Sequence, residues 1–289
     1  MGLRINTNVP SLAAQRSLRN TNEALSDNLG KLSSGKRIVK SADDAAGMAI
    51  SSRLTAKIRG NYQAERNAND GISLVQIAEG GLNEAQNILG RMRELAIQAA
   101  SDTIGDEERK LAEMEYVQIK QELDRISKVT EYNGTSLLDG TGGVFDIQVG
   151  VQNNAFNDRI SFDSGKVNSS VEALGLGETA DEDGEVSSSG VSILTKEAAR
   201  DSLNRVDNAL TSVASSRASL GAVQNRLQST IQNLQIAGEN LSAANSRIVD
   251  ADYAKEISEN ARLNILANAG VSALAATNQR NNLVLKLLG

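Results

Sequence analysis

The sequence predicts a mainly α protein: long antiparallel helices packed as a coiled-coil bundle, with a small β-hairpin region. Three observations carry that reading. Apolar residues recur at alternating steps of four and three over long stretches. Aromatics are 2% and Trp is absent, so Leu, Ile, Val and Ala must build the core. A single Pro, at position 10, leaves almost the whole chain free of helix breakers. At 289 residues the chain is long enough for one large domain or two ordinary ones.

Residues 2–34 place Leu18, Leu25, Leu29 and Leu32 at coiled-coil spacing among many Asn, Ser, Gln and Arg. Alone, so polar a helix does not offset about 1–2 kcal/mol of backbone entropy per residue. In KSADDAAG the neighbouring carboxylates of Asp43 and Asp44 do not share a helix face, so capping the next helix fits them better than holding magnesium. From Leu74 a seam runs through Leu74, Ala78, Gly81, Ala85, Ile88, Met92, Leu95 and Ala99. After DTIGDE, where Asp106 can cap, the steps resume at Ala112, Tyr116, Ile119, Leu123 and Ile126, and the chain turns back at Asn133-Gly134.

Phe145, Ile147 and Val149 alternate, as do Ile160 and Phe162 beyond Asn153-Asn154, which marks a β-hairpin over about 143–163. Residues 164–190 are rich in Gly, Ser and acid and read as a short, exposed variable loop. The returning helix is the most regular element. Val206, Val213, Leu220, Leu227, Leu234, Leu241 and Ile248 recur every seven residues, with Leu203, Leu210, Arg217, Gln224, Ile231, Gly238 and Asn245 as companions. Buried polar groups at companion positions fix register. Residues 255–288 then set Ile257, Ala261, Ile265, Val271, Leu274, Val284 and Leu288 among polar neighbours. The two ends share a character and are expected to order only against each other and against neighbours.

Several function classes fall away. With no His and no Cys there are no zinc sites of the usual kinds, no thiol nucleophiles, no Ser-His-Asp triads and no disulfides. No catalytic residue, metal site or cofactor is expected. A net charge of −6, without a basic stripe, argues against nucleic acid. No apolar run approaches the roughly 20 residues of a membrane helix, and the N-terminus lacks the apolar stretch of a cleavable signal. Met1-Gly2 would suit myristoylation, but Asn6 stands where Ser or Thr is wanted. Asp181, Glu182, Asp183 and Gly184 lack the remaining calcium-loop ligands.

One motif resists a simple reading. RMRELAIQAAS, residues 91–101, sets Arg91, Arg93 and Glu94 into an otherwise apolar helix. Arg91, Leu95 and Gln98 lie on one stripe, and an apolar Leu framed by Arg and Gln suits a protein contact as well as a solvated face. Leu95 also belongs to the seam, so its exposure decides between the two.

Taken in order, several motifs resemble bacterial flagellin: MGLRINTNVPSLAAQRSL, LSSGKRIVKSADDAAGMAISSRL, ERNANDGISLVQIAEGGLNEAQNILGRMRELAIQAAS, ELDRISKVTEYNG and SRIVDADYAKEISENARLNILANAGVSALAATNQ. The resemblance covers nearly everything but 164–190. It implies a subunit that polymerises into the extracellular flagellar filament for swimming. Residues 1–40 and 250–289 would pair as an inner terminal coiled coil, with Leu18, Leu25, Leu29, Leu32, Ile265, Val271, Leu274 and Leu288 in its core. Residues 41–249 would form the outer helical domain of a minimal member without large outer domains.

The resemblance also implies partners: the flagellar export apparatus, a chaperone on the C-terminal segment, and filament cap and hook-junction proteins. Export would leave no signal to cleave. Arg91, Leu95, Gln98 and the facing Glu115 match positions sensed by the vertebrate innate flagellin receptor, and with Glu94 they would also contact neighbouring subunits. Hook–filament junction proteins have related ends, but they carry DDP where this chain reads Asp43-Asp44-Ala45, and they lack the long match over 65–101. A soluble coiled-coil scaffold would share the heptads and not the terminal motifs.

Overall fold

A computed structural model describes residues 8–177 and 191–287, with side chains through Gln279. Among them run five α-helices: α1 (Val9–Ser34), α2 (Ala45–Ala99), α3 (Asp106–Val129), α4 (Lys196–Val249) and α5 (Tyr253–Leu287). Two small antiparallel pairs sit between α3 and α4: β1 (Glu131–Tyr132) with β2 (Thr135–Ser136), and β3 (Val144–Gln148) with β4 (Arg159–Asp163). The chain forms two compact units, Met1–Ile58 with Glu239–Gly289, and Arg59–Gly238. The sequence suggests divisions at 40/41 and 249/250. The observed ones fall inside α2 and α4, where no Pro or capping sequence interrupts the helix.

In the first unit Asn8 caps α1, its side chain accepting from the Ser11 amide at 3.1 Å, and Gly35 ends it at φ 67°. Between α1 and α5 the contact is mixed, with the buried Leu263 and polar pairs side by side. Ser11 Oγ lies 3.1 Å from Asn278 Oδ1, Asn28 Nδ2 donates to Glu256 Oε2 at 2.6 Å, and Asn260 Nδ2 donates to Asn28 Oδ1 at 2.9 Å. Leu18, Leu25, Leu32 and Leu274 are half-buried. Leu29, Ile265 and Val271 are exposed, contrary to a seam formed within one chain, because they stand beside and not on the rows through Leu18, Leu25, Asn28 and Leu32 and through Leu263, Gly270 and Leu274 that face the partner helix. Leu288 lies outside the described residues.

The caps differ in detail from the sequence reading. Asp44 caps α2, accepting from the Gly47 amide at 2.9 Å. Asp43 accepts from the Lys40 and Val39 amides, and these bonds hold its carboxyl below the usual carboxylate range. Asp106 is not the cap of α3. Gly105 holds that position, and Asp106 pairs with Arg109 at 2.7 Å. Arg109 in turn donates to the Ala99 and Ser101 carbonyl oxygens, closing the C-terminus of α2, which has no basic residue in its own last turn.

The second unit holds the main core. The predicted column Ala78, Ala85, Met92, Ala99 is buried, and so are Val75, Leu82, Leu89 and Ala96, a second heptad column on α2. Two columns fit a helix packed on two sides, and buried residues of both α3 and α4 join the same cluster. Val206, Val213, Leu220 and Leu227 are buried; Leu234, Leu241 and Ile248 are half-buried. At its companion position, Arg217 donates to Gln86 and lies 3.5 Å from Glu79, a polar layer among apolar ones.

The hairpin stacks Phe145 on Phe162 with ring centroids 6.2 Å apart. It approaches α2 at glycines: a Cβ on Gly71 would stand 2.6 Å from Ile147, and one on Gly60 2.7 Å from Val151. Asn133 (φ 51°) and Gly134 (φ 77°) make the two-residue turn between β1 and β2. The described part of 164–190 is not simply an exposed loop. Val167, Val171, Leu174 and Leu176 are buried in the core, their apolar spacing hidden in the sequence by surrounding Gly and Ser. Residues 178–190, with Asp181 to Gly184, lie outside the described residues.

Tyr116 is wholly buried, and its hydroxyl has no bonding partner while the nearby Ser202 Oγ donates to the Ser192 carbonyl. Burial pushes the phenol up to about 12. The folded state keeps a proton that the unfolded chain releases near pH 10, so stability is intact below about pH 10 and falls between about 10 and 12. Tyr116→Phe should change stability at pH 7 by less than about 1 kcal/mol and remove that part of the alkaline decline. Parallel alkaline limbs for the two proteins in denaturant titrations would contradict this.

Candidate functional site

Residues 91–99 of the motif form the last turns of α2, opposite α3. Arg91 donates to Glu115 Oε1 through Nε (2.9 Å) and Nη2 (2.7 Å), and to Glu94 Oε2 through Nη1 at 3.0 Å. The bonds it donates to Glu115, then to Glu94, hold its guanidinium more firmly protonated than a free one. Arg93 turns the other way and donates to Asp207 of α4 at 2.7 Å. The two arginines therefore brace α2 against different helices.

Arg91, Glu94, Gln98 and Glu115 are exposed and form one continuous polar stripe. Leu95 is not part of it: at 2% exposure it belongs to the core, so its reading as a surface contact is corrected. The two columns on α2 explain this. Leu95 lies between Met92 and Ala96, both fully buried, and the wide apolar face takes it inward. Ile88, also on the seam, is partly buried against the same core. Gly90 has open space where a Cβ would stand.

Two features of this unit escape the sequence reading. Leu111 and Met114 on α3 and Phe156 on the β3–β4 loop are strongly exposed. Val75, Leu82, Leu89 and Ala96 were legible in principle, since they too recur every seven residues. Among the described residues no cluster of acidic side chains is placed to hold a metal ion, and no helix is long and apolar enough to cross a membrane.

Residues 5–142 match the bacterial flagellin N-terminal helical region, and residues 203–288 match the bacterial flagellin C-terminal helical region. A flagellin of Halalkalibacterium halodurans is 42% identical over 98% of this chain and 99% of its own length. The chain belongs to the bacterial flagellin family. A flagellin of Bacillus subtilis is likewise 42% identical, over 99% of this chain and all of its own length. The two matched regions contain α1, α2, α3 and α5 and leave the β3–β4 hairpin between them.

A solved structure from Vibrio parahaemolyticus, of a protein described as flagellar hook-associated, has a TM-score of 0.56 over 72% of this chain and all of that one. At 14% identity it shares the fold alone. The family match and the 42% identical flagellins, not this likeness, leave the hook-junction alternative not favoured. That family is structural and not enzymatic.

Proposed function

We propose that this member of the flagellin family polymerises through its paired terminal helices into the extracellular filament of the bacterial flagellum and works there as a structural subunit for swimming. The observation that carries this reading is the apolar surface that α1 and α5 leave uncovered. Leu12, Leu29, Ile257, Ile265 and Val271 face outward from a pair joined by one narrow row of leucines and polar rungs. One chain buries little there, and neighbouring copies supply what is missing. The terminal domain would be built on the paired α1 and α5.

The polar stripe of Arg91, Glu94, Gln98 and Glu115 is, on this reading, a contact between subunits. By family resemblance it is also the surface that the vertebrate innate flagellin receptor would meet on free monomers. Export apparatus, C-terminal chaperone, cap and hook-junction proteins are the further partners that membership implies. Purified chain, seeded or salted out, should sediment as long filaments visible by electron microscopy. A product that stays monomeric or dimeric under all such conditions would favour the scaffold alternative.

A further inference from the structure

The loop between β3 and β4 holds an aromatic ring that its own chain leaves uncovered. Phe156 is 91% exposed, yet the backbone beneath it is firmly tied. Asn154 Oδ1 accepts from the Phe156 amide at 3.0 Å, Asp158 Oδ2 accepts from the Asn154 amide at 3.0 Å, and Gln148 Nε2 donates to the Gly150 and Gln152 carbonyl oxygens. A large side chain displayed on an ordered loop loses little conformational entropy on contact. Beside it opens a cavity of about 420 Å³ between hairpin and α4, with Val149 and Ile160 as its floor and Arg159 and Arg226 on its rim. Arg159 donates to the uncharged Gln148 and Asn153, and Arg226 enters no ion pair among the described residues.

A surface of opposite character lies on α3. Leu111 and Met114 are 68% and 63% exposed, one turn apart; Glu108 and Glu115 flank Leu111, Glu115 also accepting from Arg91, and the Glu107–Lys110 pair borders Met114. The two features sit at different heights of the same unit. Gly60 of α2 faces Val151 in the loop, while Arg91 of α2 meets Glu115, so about 46 Å of helix separates them at 1.5 Å per residue. One copy cannot join them.

We propose that Phe156 and the cavity beside it receive Leu111 and Met114 of a second copy of this chain, with Arg159 and Arg226 meeting Glu108 and Glu115 of that copy. Apolar anchors fill a pocket, and charges of opposite sign surround them. Two different surfaces meet, so the contact is heterologous and repeats head to tail into an open strand instead of closing as a dimer. The proposal rests on the filament reading above and adds a specific pair of surfaces to it.

The absence of Cys makes the contact testable in the full chain. A variant carrying both Phe156→Cys and Met114→Cys, assembled and then oxidised, should run on a non-reducing gel as a ladder of multimers, and each single variant should not. Filaments of the double variant that still run as monomers would overturn the contact while leaving the filament reading intact. Wild-type chain that never assembles would instead sink the filament reading itself. Phe156→Ser should raise the critical concentration for assembly about tenfold, with the monomer's helicity and melting unchanged. An unchanged critical concentration would also overturn the contact.

Discussion

Leu95→Ala should destabilise the monomer by about 2–5 kcal/mol, against about 0.5 kcal/mol or less for Gln98→Ala three residues away. The difference follows from position alone. Leu95 is packed between Met92, Ala96 and the facing helices, whereas Gln98 points into solvent. The loss is a large share of the roughly 5–15 kcal/mol that holds an ordinary domain together. Urea titrations followed by circular dichroism would show a lower midpoint at similar slope. Equal midpoints for the two variants would place Leu95 at the surface after all. A receptor reporter signal lost in Leu95→Ala would therefore report unfolding. Arg91→Ala is the cleaner probe of the stripe, since its pairs with Glu94 and Glu115 are solvent-exposed and screened, and their loss leaves the core untouched.

Removing about 35 residues from either end should abolish filament formation and leave the second unit helical. The core of Arg59–Gly238 is built from α2, α3, the hairpin and α4, and neither α1 nor α5 contributes a residue to its main cluster. The terminal pair by contrast offers exposed Leu29, Ile257, Ile265 and Val271 to neighbours. Each such side chain, once buried, contributes on the order of 1.5–3 kcal/mol, so a deletion removes several contacts per subunit interface. Far-UV circular dichroism of the truncated chains should retain strong helical signal while sedimentation shows no polymer. Collapse of the whole helical signal would mean that the terminal helices hold up the body as well.

Periodicity made the long helices legible, and the reasons it fell short are physical. The heptads of α4 and the four-three steps of α2 and α3 follow from burying one stripe per helix, which a sequence displays directly. Burial on two sides is harder to see. The second column, Val75 to Ala96, turned an outward stripe through Leu95 into core. The first half of α2, before Leu74, scatters its apolar residues among Arg, Asn and Ser without an unbroken seam to announce it, yet it continues as helix because no Pro breaks it. Val167, Val171, Leu174 and Leu176 were hidden by the Gly and Ser around them, since composition says little about where a few apolar side chains go. The exposure of Phe156 depends on hydrogen bonds within an irregular loop, which no periodicity encodes. The polar stripe at Arg91, Glu94, Gln98 and Glu115 was legible as a surface and required the fold to shed Leu95.

Helical reconstruction of the assembled full-length chain by electron microscopy bears most directly on its role as a filament subunit. It should show α1 and α5 of every copy innermost around the filament axis, with Leu29, Ile265 and Val271 covered by neighbouring copies and the stripe of Arg91, Glu94 and Gln98 buried between subunits. Filaments in which α1 and α5 face outward, or in which they are absent after truncation while assembly persists, would contradict that account.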